Sequence, residues 1–183
     1  MSDTPNRERG TDRQTLERGF SLIELLIVVA IILIVAAIAI PSLLRAKISA
    51  NESSAVASLR TITTAETTYS SSWGTGYAAT LANLGGPNPC AIATSATACI
   101  IDSSLSIAPF VKSGYTFSAV GNTAVLGVNN GFETNATPNM VDITGKRAFC
   151  SDQSGVLRAN TTGVAIGTGA GTCATVITLI VGN

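Results

Sequence analysis

The stretch that decides the fold runs from Phe20 to Lys47 and reads FSLIELLIVVAIILIVAAIAIPSLLRAK. Between Arg18 and Arg45 the only charged residue is Glu24, and every residue from Leu25 to Ile40 is apolar. As a helix, Phe20 to Leu44 would extend roughly 37 Å, which exceeds the ~30 Å hydrocarbon layer of a bilayer. A core helix of a soluble protein keeps a polar stripe, and this segment has none for about four turns. The segment therefore reads as a membrane span. Residues 1–19 before it are polar, with four Arg and four acids. They lack the apolar run and small-residue cut site of a secretory signal peptide. Acids count little for topology, so the arginines favour an amino end in the cytoplasm.

Working outward on the carboxyl side, Ile48, Ala55, Leu59, Ile62 and Tyr69 recur at helical spacing, with Asn51, Glu52, Arg60 and Thr63 between them. No Gly or Pro occurs from Ser42 to Trp73. The pattern predicts one helix of about 50 residues, apolar all round over 20–44 and one-sided over 45–72. Pro41 sits inside it, and a kink is expected there, because proline lacks the backbone donor and clashes one turn back.

From residue 73 to 183 the composition changes. Trp73-Gly74-Thr75-Gly76 breaks the helix, and residues 85–89 form a loop. Strand-like runs follow at 115–120, 123–128, 140–143, 147–150 and 174–181. The pairs Gly121-Asn122, Asn130-Gly131, Thr144-Gly145 and Ser154-Gly155 read as turns. Connections this short predict an antiparallel meander, whose apolar face needs a cover, and the one-sided helix face supplies it. The expected fold is α+β: a long N-terminal spine helix on a C-terminal antiparallel β-sheet head.

The four cysteines, Cys90, Cys99, Cys150 and Cys173, all follow the span. Three pairings are possible. Cys90–Cys99 and Cys150–Cys173 are favoured, because neighbours in sequence close the simplest loops. Disulfides need an oxidising compartment, which agrees with a head outside the cytoplasm.

Of the 183 residues 12% are charged, net charge is zero, and mean hydropathy is +0.40. That balance excludes nucleic-acid binding steered by overall charge. The chain has no histidine, which excludes imidazole-based triads and zinc sites. There is no C-x-x-C, so no metal and no cofactor is expected. A membrane-tethered enzyme is the alternative from another class, but the head offers few groups for acid–base work, and the chain is read as non-enzymatic.

Arg18-Gly19-Phe20-Ser21-Leu22-Ile23-Glu24-Leu25-Leu26 resembles the class III signal of type IV pilins and pseudopilins. The resemblance extends to the long helix with its internal proline and to the later disulfide-bearing sheet, and so implies the type IV pilin fold. It implies that residues 1–19 are a leader, that a prepilin peptidase cuts between Gly19 and Phe20 on the cytoplasmic face, and that the same enzyme methylates the new amino terminus at Phe20. The leader is longer and more charge-balanced than is common in the family.

The resemblance further implies roles for Glu24 and Pro41 in assembly. Glu24 would pair with the amine of a neighbouring subunit, and the helix would loosen around Pro41 in the fibre. A charge in an apolar helix is a functional candidate on physical grounds too. Implied partners are further copies of the chain in a helical filament, the prepilin peptidase/methyltransferase, an inner-membrane assembly platform with its ATPases, and the lipid bilayer before assembly. The implied function is a type IV pilus subunit, serving adhesion, twitching motility or DNA uptake. It would lie in a bacterial inner membrane and afterwards in an extracellular pilus. A type II secretion pseudopilin is the alternative. Major pseudopilins often hold calcium and lack disulfides, whereas the head acids Asp102, Glu133, Asp142 and Asp152 lie far apart in this sequence.

Overall fold

The computed structural model describes residues 20–176. The main helix, α1, spans Leu22–Trp73 and is 52 residues long. It runs through Pro41, and it stops where Gly74 adopts a φ of +66°. A left-handed residue just past the last turn is the common way a helix ends, and glycine takes that conformation without a Cβ penalty. The chain divides into two compact units at Ile40/Pro41.

The first unit is the apolar part of α1. Its large apolar side chains stand exposed, from 44% at Val28 to 80% at Leu22. A surface this apolar is not matched to water and calls for lipid or other helices.

The second unit is the head. After α1 come two single-turn helices, α2 (Leu81–Leu84) and α3 (Ser103–Ser106), and then five strands: β1 (Val111–Lys112), β2 (Tyr115–Asn122), β3 (Gly131–Pro138), β4 (Ala148–Asp152) and β5 (Arg158–Asn160). They form one antiparallel sheet in the order β1-β2-β3-β4-β5. The architecture is α+β and pilin-like. One face of the sheet carries Tyr115, Phe117, Ala119, Ala136, Phe149 and Ala159, which share a core with Ala55, Leu59, Ile62, Ala65 and Tyr69 of α1. Of the expected helix face, Ile48 is only half-buried.

The strand reading needs correction in several places. Residues 123–128 are not a strand. Val125 and Val128 face each other across a two-residue turn, in which Leu126 (φ +52°) and Gly127 (φ +81°) are left-handed and Leu126 is fully exposed. Residues 140–143 form a turn closed by the N–H groups of Ile143 and Thr144 on the Met140 carbonyl, with Asp142 at φ +64°. The Gly121-Asn122 pair lies inside β2 rather than in a turn. Of the run at 174–181, only residues 174–176 lie among those described. They belong to a turn in which Thr175 and Val176 donate to the Gly171 and Cys173 carbonyls.

The longest unforeseen strand is β3. Its sequence, GFETNATP, is polar, yet all but one of its residues are buried. Phe132, Thr134 and Ala136 lie on the side of the sheet that carries Phe117 and Ala119, with Ala136 in the core shared with α1 and Phe132 against the Tyr77 ring, whereas Glu133 and Asn135 face the segment that follows β5. Glu133 accepts from the N–H groups of Gly171 (2.7 Å) and Cys173 (3.2 Å), and Asn135 donates to the Gly167 carbonyl (3.2 Å). A strand covered on both sides need not alternate, and its polar residues are retained because they are hydrogen-bonded.

Gly76 shows where the head tolerates least. Its φ is +74°, and an added Cβ would stand 2.1 Å from the Asn129 carbonyl oxygen. This is where the Tyr77 N–H donates to that same oxygen at 2.9 Å. Gly76→Ala should therefore lower head stability by about 2–3 kcal/mol, through strain and a lost backbone contact. Gly74→Ala has a similar φ but open space around it and should cost only about 1 kcal/mol. Urea unfolding of the two variants would measure the gap, and equal losses would contradict the steric account.

Candidate processing and assembly site

Phe20 and Ser21 precede the first helical turn, and the Ser21 carbonyl accepts from the Leu25 N–H at 3.2 Å. Glu24 lies in that first turn. Its negative charge is favoured there by the orphan N–H groups and the helix dipole, while apolar surroundings penalise it. Phe20 and Glu24 are four positions apart, so Glu24 stands about one turn, or roughly 6 Å, along the axis from the position of Phe20. Gly19, the expected cleavage residue, lies outside the described residues, as does the whole segment 1–19.

On the same helix, Leu22, Leu25, Leu26, Val29, Ala30 and Leu33 line a shallow apolar groove. Their three- and four-residue spacing is that of a helix–helix packing ridge. The segment thus combines one acid at a helix start, an exposed apolar face and a proline at position 41. Such a segment can insert into lipid or pack laterally against other helices.

The head contains charged groups whose roles sequence reading missed. Glu52 and Arg147, 95 positions apart, form a two-pronged ion pair. Glu52 Oε2 accepts from Arg147 Nε (2.9 Å) and Nη2 (2.7 Å), while Oε1 accepts from the N–H groups of Lys146 and Arg147, both at 3.0 Å. Burial works to raise the Glu52 carboxyl, but the guanidinium and the two backbone donors outweigh it and hold the carboxyl below its ordinary value. The Arg147 guanidinium also lies 5.3 Å from the Phe149 ring centre, and its carbonyl accepts from the Tyr115 hydroxyl at 2.8 Å. This cluster ties α1 to the β3–β4 loop.

Glu66 is fully buried on α1. One of its oxygens accepts from the Ala78 N–H at 2.8 Å, and the other has no hydrogen-bond partner among the described residues. Burial pushes this carboxyl up to about 7, and the Ala78 N–H offsets only part of the shift. Glu133 is raised as well, chiefly by burial, with its backbone donors opposing and Asp152 adding to the rise.

The acids that look dispersed in the sequence are not all dispersed in space. Glu133 and Asp152 are direct cross-strand partners on β3 and β4. Both are engaged: Glu133 as described, and Asp152 by the N–H and hydroxyl of Ser154. No group of three or more His, Cys, Asp or Glu side chains suited to a metal occurs among the described residues.

Cys90 is bonded to Cys99 with Cα atoms 6.2 Å apart, and Cys150 to Cys173 with Cα atoms 5.7 Å apart. The first bridge closes a loop between α2 and α3. The second fastens the segment after β5 to β4, on the side of the sheet away from α1.

Residues 15–40 match the family described as the prokaryotic N-terminal methylation motif. That interval contains Gly19, Phe20 and Glu24 and continues along the apolar helix to Ile40. No match was found among curated proteins or among solved structures. The chain therefore combines a prokaryotic N-terminal methylation motif with a pilin-like α+β fold, and the motif implies processing by a prepilin peptidase.

Proposed function

We propose that this chain is the structural subunit of a type IV pilus, held in the inner membrane as a prepilin and polymerised after processing. The observation that carries this reading is the continuity of the methylation motif at 15–40 with a 52-residue helix, whose later part packs on an antiparallel sheet. In this reading residues 1–19 are the leader, cleavage falls between Gly19 and Phe20, and Phe20 carries the N-methyl group. Residues 20–44 span the bilayer and then form the filament core. Residues 45–72 are the amphipathic half of the helix, and 73–183 the extracytoplasmic head.

Glu24 supplies the register. Cleavage creates a cationic amine at Phe20, and a buried carboxylate and a buried amine attract strongly where the dielectric is low. Each left alone is costly. A subunit leaving the lipid would therefore stop where its Glu24 meets the amine of a neighbour, with apolar ridges packed on either side. At Pro41 the missing donor leaves the Ala37 carbonyl without its usual helical partner, so the helix has a weak point there. An assembly platform and ATPases would supply the work of extraction. Adhesion, twitching motility and DNA uptake are properties of the finished fibre.

A second reading, a pseudopilin of a type II secretion system, shares the motif and the helix. The two bridges favour the pilin.

Intact mass of sheared and pelleted surface filaments is the test. The expected species is the 164-residue chain from Phe20 to Asn183, bearing one methyl group and weighing about 4 Da less than its reduced form. Processed chain confined to the membrane fraction would favour the pseudopilin. A chain still starting at Met1 would overturn both readings.

A further inference from the structure

Three loops meet at the end of the head from which α1 leaves towards Pro41. In the β1–β2 turn, the Ser113 hydroxyl bonds to that of Ser54 at 2.9 Å, and Gly114 packs against Thr144. The β3–β4 loop is pinned to α1 through the Asn51 amide, which donates to the Thr144 carbonyl at 2.8 Å, and through the Glu52–Arg147 pair. The loop after β5 arrives at Gly163, whose Cβ position lies 2.9 Å from both the Lys146 carbonyl oxygen and a Val141 methyl.

This end is apolar where a water-facing surface would be polar. Met140, Val141, Ile143 and Val164 are 56%, 44%, 59% and 62% exposed. They flank one another on a face that no described residue covers. Lys146 stands exposed beside them, and Lys112 adjoins the β1–β2 turn. On the helix just below, Arg45 and Lys47 are exposed as well. Arg147 is engaged by Glu52, and Asp142 is the one acid in the β3–β4 loop.

We propose that this end of the head docks on an anionic bilayer surface while the subunit waits in the membrane. The proposal rests on the reading of residues 20–44 as the span, and two observations favour lipid as the occupant. The first is position. Asn51 lies seven residues beyond Leu44, or about 10 Å along the helix, whereas the headgroup zone is roughly 5–8 Å deep on each side. The Thr144 loop, tied to Asn51, therefore leaves α1 within about a side chain's length of that zone. The second is chemistry. Short apolar side chains fringed by Lys and Arg suit the boundary between acyl chains and anionic headgroups, where buried apolar area and charge attraction add. Extraction from the membrane would expose the same face.

The mature full chain, with Trp73→Phe as background, can be placed in vesicles whose lipids are brominated high on the acyl chains. Single reporters are then introduced: Ile143→Trp on the proposed face, Leu126→Trp on the opposite end beside Asn129, and Leu26→Trp in the span. With phosphatidylglycerol present, Ile143→Trp should be quenched roughly twofold more than Leu126→Trp. The excess should vanish in phosphatidylcholine alone, or when Lys112→Glu and Lys146→Glu are added. Leu26→Trp should be quenched in every lipid, and its failure to be quenched would remove the span reading itself. A quenched Leu26→Trp beside an unquenched Ile143→Trp would overturn the docking proposal alone. Protection of Ile143→Trp only in assembled filaments would also overturn it, and would assign the face to a second copy of the chain.

Discussion

A strain whose only copy of this subunit carries Glu24→Ala should process the chain normally and yet display few or no filaments by electron microscopy. The variant removes the single charge between Arg18 and Arg45 and leaves the apolar face of the helix intact, so insertion into lipid should be unimpaired or improved. In the proposed fibre it removes the partner of the neighbouring amine. An unpaired buried charge costs about 3–5 kcal/mol, and every added subunit would carry that penalty. Glu24→Gln should fail almost as completely, because it keeps the shape and loses the charge. Glu24→Asp should retain part of the assembly. Normal piliation with alanine, alongside a correctly cut and methylated chain by mass, would sink the register mechanism.

The second large effect concerns Glu66. Its carboxyl is raised by burial to about 7 from an ordinary value of 4.5, so the folded head binds its proton more tightly than the unfolded chain does. Stability from this group is complete below about 4.5, falls as pH rises through the interval, and is lost above about 7. The full swing is about 3 kcal/mol. Glu52 works with the opposite sign: its lowered carboxyl contributes stability near neutrality that disappears in acid. The informative comparison is therefore Glu66→Gln, which mimics the protonated acid. Urea midpoints of the detergent-held chain at pH 5 and pH 8 should differ less in the variant, and the variant should be the more stable at pH 8. An unchanged pH dependence would show that the carboxyl titrates normally.

The parts of the fold that were legible in the sequence are those fixed by local pattern. The apolar run from Leu25, the lack of Gly and Pro after Ser42, and Gly74 at the end fix the helix without tertiary information. The run YTFSAV alternates because one side of β2 faces the core, and β4 is visible through Ala148-Phe149-Cys150. What was hidden depends on contacts between distant segments. The strand β3 reads as polar because its outer face is buried by residues after β5, and β1 and β5, two and three residues long, are too short to carry a period. Residues 123–128 look like a strand because Val and Leu are strand formers, but Leu126 and Gly127 turn the chain. The N-terminal methylation motif is local in sequence and could be read directly. Glu52 with Arg147, Glu66 with Ala78, and Glu133 with Gly171 and Cys173 join residues 12 to 95 positions apart, and nothing in their local sequence marks them.

Among the described residues, the head's apolar core begins at Ala55. A change in the sheet or its loops therefore alters a core separate from residues 20–40, where the demands of a processing peptidase act. The two regions of one continuous helix are free to drift at different rates. The head can be remade in sequence while the motif and the apolar helix keep their form. A match confined to residues 15–40 is what such a division of selective pressure would leave behind.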